Sequence, residues 1–341
     1  MPYYVYVTLV DEDRVLVFEM DPESGRLDQR GDVAVPGGPA PLAISPDRAV
    51  MYAGFLVDPK VTSFRIDQAT GGLSPIGTAP LDSDPCYLAT DRTGRFLFSA
   101  HYFAGRVGVH RIGGDGVVET PPVEWLDTAP GAHSMQADRS NRFVFVPHIA
   151  GDVGPNRVFQ FRFDQTTGRL TPNSPPQAMP DDGVGPRHFC FHPELAVVYF
   201  SNEQGCSVSA YRLDPSTGTL TTFDTVSTLP DGYEGPNSCS QIQISPSGRY
   251  LYAPNRGHDS IACFSVDPAT GRLTSIGRVP SEAVPRAFSL DPDGRFLFAA
   301  GLESGRLASY SIDQQTGMPE PLEVYELGKG PMWVLTTTLG H

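Results

Sequence analysis

The sequence predicts an all-β fold: a seven-bladed β-propeller with four antiparallel strands per blade. Three observations carry this. An alternating apolar run, usually led by proline, recurs seven times. A turn followed by an aromatic-rich β run falls between those copies. A hairpin signature, Asp-x-x-Ser/Thr-Gly, closes nearly every repeat. Four strand signals at a spacing of about 47 residues match one propeller blade, and self-similarity at such a period marks a repeat architecture.

The first signal appears as Pro41-Leu-Ala-Ile-Ser, Pro85-Cys-Tyr-Leu-Ala, Pro186-Arg-His-Phe-Cys-Phe, Pro285-Arg-Ala-Phe-Ser-Leu and Pro331-Met-Trp-Val-Leu. Ala132-His-Ser-Met-Gln and Ser238-Cys-Ser-Gln-Ile fill the two remaining slots. The second appears as Thr93-Gly-Arg-Phe-Leu-Phe, Ser140-Asn-Arg-Phe-Val-Phe, Ser247-Gly-Arg-Tyr-Leu-Tyr and Asp293-Gly-Arg-Phe-Leu-Phe. The third starts at Asp21, Asp67, Asp164, Asp214, Asp267 and Asp313, with Gly113-Gly-Asp-Gly in the remaining repeat. Its terminal glycine supplies the positive φ that a tight hairpin needs. Each repeat therefore reads strand A, turn, strand B, loop, strand C, hairpin, strand D. No segment keeps a 3.6-residue apolar period, so almost no helix is expected.

The ends predict how the ring closes. Tyr4–Leu9 precedes the first hairpin, so the chain starts part-way through a repeat. Pro331–Thr338 is a strand A with no B, C or D behind it. The two ends together complete one blade, which removes two exposed edges. At 341 residues an ordinary chain would divide in two. A closed ring instead predicts one domain spanning 1–341.

The formal net charge of −14 argues against nucleic acid and anionic membranes as partners, since both need a basic surface. A local arginine cluster can still hold a small anion inside a negative molecule. Cys86, Cys190, Cys206, Cys239 and Cys263 include no C-x-x-C pair and read as reduced packing residues. The N-terminus lacks a basic stretch followed by an apolar one, and no run of about 18 apolar residues occurs. The expected location is the cytoplasm, as a monomer or weak homodimer.

In a four-stranded blade the A–B and C–D turns share one face, and the B–C and D–A loops share the other. The short Asp-x-x-Thr-Gly hairpins make the first face structural. On the second, His133, Arg187, His188 and Arg286 sit at D–A junctions, and His101, His148, Glu203 and Arg256 sit in B–C loops. All eight map to one mouth of the channel, as a polar funnel would. Arg187 and His188 open an otherwise apolar strand, where a buried charge needs a partner or a ligand. Arg106, Arg111 and Arg212 read as solvated, and His192 as structural on the far face. Two metal arrangements suggest themselves: His101, His133 and His148 for zinc, and Asn202, Glu203 and Asn255 for calcium. The histidines come from separated loops, and neither metal nor other cofactor is expected. No Gly-rich phosphate loop or Gly-x-Ser-x-Gly elbow occurs.

Over essentially its whole length the chain resembles the bacterial 6-phosphogluconolactonases of the seven-bladed propeller type, whose superfamily includes carboxy-cis,cis-muconate cyclases. The pieces that carry the resemblance are Val35-Pro-Gly, Gly131-Ala-His-Ser, Gly185-Pro-Arg-His with Phe191-His-Pro, Asn202-Glu203, Pro285-Arg-x-Phe and Gly328-Lys-Gly-Pro-Met-Trp-Val. The resemblance implies hydrolysis of 6-phospho-D-glucono-1,5-lactone, a step of the pentose phosphate pathway. It places function on His133, Arg187, Glu203, Arg256 and Arg286. The segments Pro147–Arg157 and Asp231–Asn237 depart from the pattern beside the presumed mouth and bear on substrate identity.

Lactone hydrolysis needs a deprotonated water, a stabilised oxyanion and a held anion. His133 and Glu203 are the two candidates for the base. Arg187 and Arg286 suit the anionic group and the oxyanion, with Arg256 supporting Glu203 and with His188, His101 and His148 lining the substrate site. The alternatives are a lactonase or cycloisomerase for another acid lactone (an aldonolactone, a sulfo-sugar lactone, a carboxymuconolactone) and a non-catalytic propeller scaffold. A scaffold should present apolar rim patches instead of convergent His, Glu and Arg side chains.

Overall fold

A computed structural model describes residues 1–340. Among them there are 28 β-strands and no helix. The strands form seven antiparallel four-stranded sheets. Six are sequential, from Pro39–Ile44 outward to Leu73–Pro80 in the first blade through to Pro285–Leu290 and Pro319–Glu326 in the sixth. The seventh takes its inner strand, Pro331–Thr338, from the C-terminus, and its other three, Tyr3–Leu9, Arg14–Met20 and Leu27–Ala34, from the N-terminus. Tyr3 pairs with Thr338 and Leu9 with Pro331, so the ring closes as the sequence predicts.

Each second strand, such as Phe96–His101 or Tyr250–Asn255, is buried along its length, Tyr3 at the start of Tyr3–Leu9 excepted, because a neighbouring blade covers either face. Its residues are therefore apolar at successive positions instead of alternating. Seven apolar clusters result, and each draws on two adjacent blades. The ring is held between blades as much as within them.

Two of the repeated signals turn out to be halves of one contact. In the hairpin after Lys60–Ile66, Asp67 Oδ1 accepts bonds of 2.9 Å from the amides of Ala69 and Thr70, and Gly71 turns the chain at φ 71°. A Cβ on Gly71 would lie 2.4 Å from the Tyr4 ring of the preceding blade. The Tyr6 hydroxyl donates to Gly71 O at 2.8 Å. Gly168 meets Phe96, Gly218 meets Phe143 and Gly317 meets Tyr250 in the same way. The aromatic that opens strand B thus reserves space only glycine leaves. Gly71→Ala adds overpacking to left-handed backbone strain. It is expected to cost about 2–4 kcal/mol, measured as a lowered urea midpoint with unchanged slope.

The inner strands differ from expectation in two ways. The first begins at Pro39, not Pro41, since Pro39 is the residue paired with the end of strand B. In the third and fifth blades only Gln136–Ala137 and Gln243–Ile244 form regular strand. Above them the chain is held by single bridges, Ala132 to His148 and Cys239 to Asn255.

Candidate active site

Both irregularities belong to a feature repeated around the ring. Near the top of an inner strand the pairing slips by one residue: Pro186 pairs with Asn202 but His188 with Ser201, and Pro285 pairs with Gly301 but Ala287 with Ala300. The extra residue is Arg187 in one case and Arg286 in the other. A bulge leaves its extra residue out of the ladder and re-aims the side chain. Ala40, Met332 and His133 fall at equivalent slips, and Cys86 occupies the matching place after Pro85.

The second set of positions is the first residue after each strand B. Successive side chains of a strand point oppositely. The last strand residue therefore turns into the blade and the next turns to the channel. Leu56, Tyr102, Glu203 and Arg256 occupy this place. The bulge residues and the post-strand residues together supply most of the wall of a cavity of about 240 Å³ at one mouth of the channel. Asp84, Phe103, His188, Gln241 and Trp333 complete its polar and aromatic lining.

Glu203 is the hub. Its Oε1 accepts from Arg256 Nη2 at 2.8 Å, and its Oε2 lies 3.0 Å from Arg187 Nε in an ion pair without hydrogen-bond alignment. His133 Nε2 stands 4.0 Å from the same Oε2. Arg256 also donates to Cys239 O at 2.8 Å, which fixes its fork. Arg286 has no carboxylate partner among the described residues; its Nε contacts Met332 Sδ at 2.9 Å. Three guanidinium groups thus face two carboxylates, Glu203 and Asp84, in a chain of net charge −14. The His188 ring lies edge-on to His133 at 5.2 Å and to Tyr87 at 5.1 Å between centroids.

Burial, with Arg187 and His188 beside it, holds the His133 imidazole well below its ordinary range. His188 is lowered in the same way by burial and by Arg187 and Arg286. Both rings are therefore neutral at pH 7 and can accept a proton. Burial pushes the Glu203 carboxyl up, but Arg187 and Arg256 outweigh it and hold it below the usual carboxylate range. Burial and Arg256 bring Arg187 down to about 9, still charged at neutrality. Buried polar atoms without partners gather here: His133 Nδ1, Arg187 Nη1, His188 Nε2 and Arg256 Nε. Such groups are costly unless a ligand or water satisfies them.

Six of the eight residues expected at the mouth line this cavity: His133, Arg187, His188, Glu203, Arg256 and Arg286. His101 and His148 do not, which corrects their expected place. Each is the last residue of a strand B, one position too early, and turns into its blade. His101 Nε2 pairs with Ser99 Oγ at 2.9 Å and its Nδ1 with Ser83 Oγ at 3.1 Å, under Trp125. His148 Nε2 pairs with Thr128 Oγ1 at 2.9 Å against Phe159. Asn202 and Asn255 share that register and are likewise committed inside, to Ser207 and Ser209 and to Thr228. Among the described residues no three His, Cys, Asp or Glu side chains gather closely enough to hold a metal ion. The segments Pro147–Arg157 and Asp231–Asn237 supply no lining residue either. The first instead braces the chain ahead of Arg187, with Asn156 Oδ1 accepting from Gly185 N at 2.9 Å. Tyr102, Met332 and Trp333 were missed from sequence, although Tyr102 shares the register of Glu203 and Arg256.

The internal histidines predict an acid response. Burial lowers His101 and His148 to about 4 and His110 to about 3, against about 6.5 unfolded. The unfolded chain therefore binds more protons between those limits. The stability contribution is complete above pH 6.5 and is lost as pH falls, by about 4 kcal/mol per pH unit for the three together. The melting temperature should drop steeply between pH 6.5 and 4.5, and H101Q with H148Q should flatten that slope.

Comparison with known proteins agrees with this architecture. The family model described as "Lactonase, 7-bladed beta-propeller" matches residues 4–336. A 6-phosphogluconolactonase of Pectobacterium carotovorum is 37% identical over 99% of this chain and 100% of its own. One from Yersinia pestis is 36% identical over 98% of each. Among solved structures, a Pseudomonas aeruginosa periplasmic gluconolactonase, PpgL, superposes with a TM-score of 0.90 at 25% identity, covering 100% of both chains.

Proposed function

The chain belongs to the seven-bladed β-propeller lactonase family, and from that premise we propose that it hydrolyses 6-phospho-D-glucono-1,5-lactone to 6-phosphogluconate. The observation that carries the proposal is the convergence of neutral His133 with Arg187, Glu203, Arg256 and Arg286 on one cavity. His133 takes a proton from water, and the hydroxide adds to the lactone carbonyl. Glu203, held by two arginines and lowered by them, orients Arg187 and Arg256. Arg187 faces the carbonyl oxygen, where a fixed cation stabilises the developing charge. Arg286, with no carboxylate partner, takes the phosphate. His188 forms the floor beneath the ring.

We assign this step to the pentose phosphate pathway in the cytoplasm, a reading with which five free cysteines are compatible. A second reading, an unphosphorylated aldonolactone, is favoured by the name of PpgL. The two substrates separate the readings. Hydrolysis of 6-phosphogluconolactone well above its spontaneous rate, with gluconolactone at least about tenfold slower in kcat/KM, supports the phosphorylated substrate. Equal rates would move the assignment to the unphosphorylated lactone, and no acceleration of either would end the lactonase reading for these sugars.

A further inference from the structure

Opening a lactone leaves one requirement to which the roles above assign no residue. The ring oxygen departs as an alkoxide and needs a proton. Tyr102 stands where that proton can come from. It is the first residue after Phe96–His101, so its side chain turns to the channel while His101 locks into the blade. Its backbone is pinned on both sides: Gly131 N donates to Tyr102 O, and Gly105 N to His101 O, at 2.8 and 3.0 Å. The ring packs edge-on against His133 with centroids 5.3 Å apart and lines the cavity.

Three phenols buried against hairpins give their protons to glycine carbonyls: Tyr6 to Gly71, Tyr199 to Gly271 and Tyr252 to Gly317. The Tyr102 hydroxyl has no hydrogen-bond partner among the described residues, although it stands in the most charged part of the molecule. Burial and the Glu203 carboxylate hold this phenol above its ordinary range, against Arg187 and Arg256. It is protonated at neutral pH and is a donor.

We propose that Tyr102 is the acid that protonates the leaving ring oxygen, an assignment that rests on the lactonase reading above. The step balances as follows. Water loses one proton to His133, and its hydroxide adds to the carbonyl carbon. As the tetrahedral centre collapses, the bond from that carbon to the ring oxygen breaks, and the ring oxygen takes the Tyr102 proton. His133 returns its proton to the tyrosinate beside it, and the new carboxylic acid releases one proton to solvent. The net change is lactone plus water to hydroxy-carboxylate plus a proton, with His133 and Tyr102 restored.

The test is Tyr102→Phe, which removes one oxygen and keeps the ring against His133. Wild-type and variant are assayed at neutral pH with 6-phosphogluconolactone, with acid release corrected for the spontaneous rate and with melting curves recorded for both. The expected result is a kcat lower by on the order of 10²-fold with KM changed by less than about threefold and an unchanged melting temperature. A KM that rises while kcat stays constant would make Tyr102 a binding residue and overturn the proposal, as would a kcat within about threefold of wild type. Wild-type protein that gives no acceleration would defeat the lactonase reading itself, an outcome distinct from either.

Discussion

His133→Ala is expected to lower kcat/KM for the lactone by on the order of 10²–10⁴-fold, the range that loss of a general base produces, while the protein stays folded. Of the two neutral imidazoles in the cavity, His133 is the one that stands against Glu203. Its Nε2 is 4.0 Å from Glu203 Oε2, its Nδ1 has no partner among the described residues, and its ring is wedged between Tyr102 and His188. Burial and Arg187 keep it unprotonated at neutrality. The sign of the pH dependence follows. Acid protonates the imidazole and removes the proton acceptor, so the rate should be level around pH 7. It should fall only below about pH 6.5, the ordinary histidine value. Steady-state rates of wild type and variant across that range check both statements. A variant within tenfold of wild type, or a wild-type acid limb centred above pH 7, would remove His133 from this role.

Deleting residues 331–341 should abolish soluble, folded protein. The deletion takes away the whole inner strand of the seventh blade, leaving Tyr3–Leu9 without a partner on one side. It also takes Trp333, Val334, Leu335 and Leu339 from the cores shared with the adjoining blades. At about 1.5–3 kcal/mol for each large apolar side chain, the loss is on the order of 5–10 kcal/mol, comparable to a domain's net stability. The exposed strand would then be a template for aggregation. The matching control is a circular permutant. Leu339 N already donates to Pro2 O at 3.0 Å, so the ends can be joined by a short linker. New ends at Gly114, where nothing lies within 4 Å of an added Cβ, leave every blade complete. Solubility and a cooperative melt in the permutant, with neither in the deletion, is the expected result. A soluble, cooperatively melting deletion would show that ring closure is dispensable.

The fold was legible because each repeat writes its own local chemistry. The hairpin aspartates cap their own turns, the glycines need positive φ within their own hairpins, and the aromatic-rich runs mark the B strands. The pairing of N- and C-terminal strands was legible by subtraction, since each end lacks the strands the other holds. The choice of face was also legible, because loop type alone assigns it.

Which residues on that face meet was decided elsewhere. His101 and Glu203 are adjacent in register, one at the end of a strand and one just after it. That single step turns a side chain from the blade interior to the channel. Arg187 and Arg286 reach the cavity because bulges lift them out of their ladders; Cys86 and Met332 share their place after the strand-entry proline, but no local signal showed that this place bulges toward the channel. Sequence by itself determined the strands, the turns, the closure and the mouth where polar residues gather, because those depend on neighbours within one repeat. The pairing of Arg256 with Glu203 was expected from the sequence, but tertiary structure alone decided that Arg187 joins it, that His133 stays neutral and that the Tyr102 hydroxyl has no partner among the described residues. The physical reason is that distance, burial and field at the channel mouth are set jointly by residues from different blades.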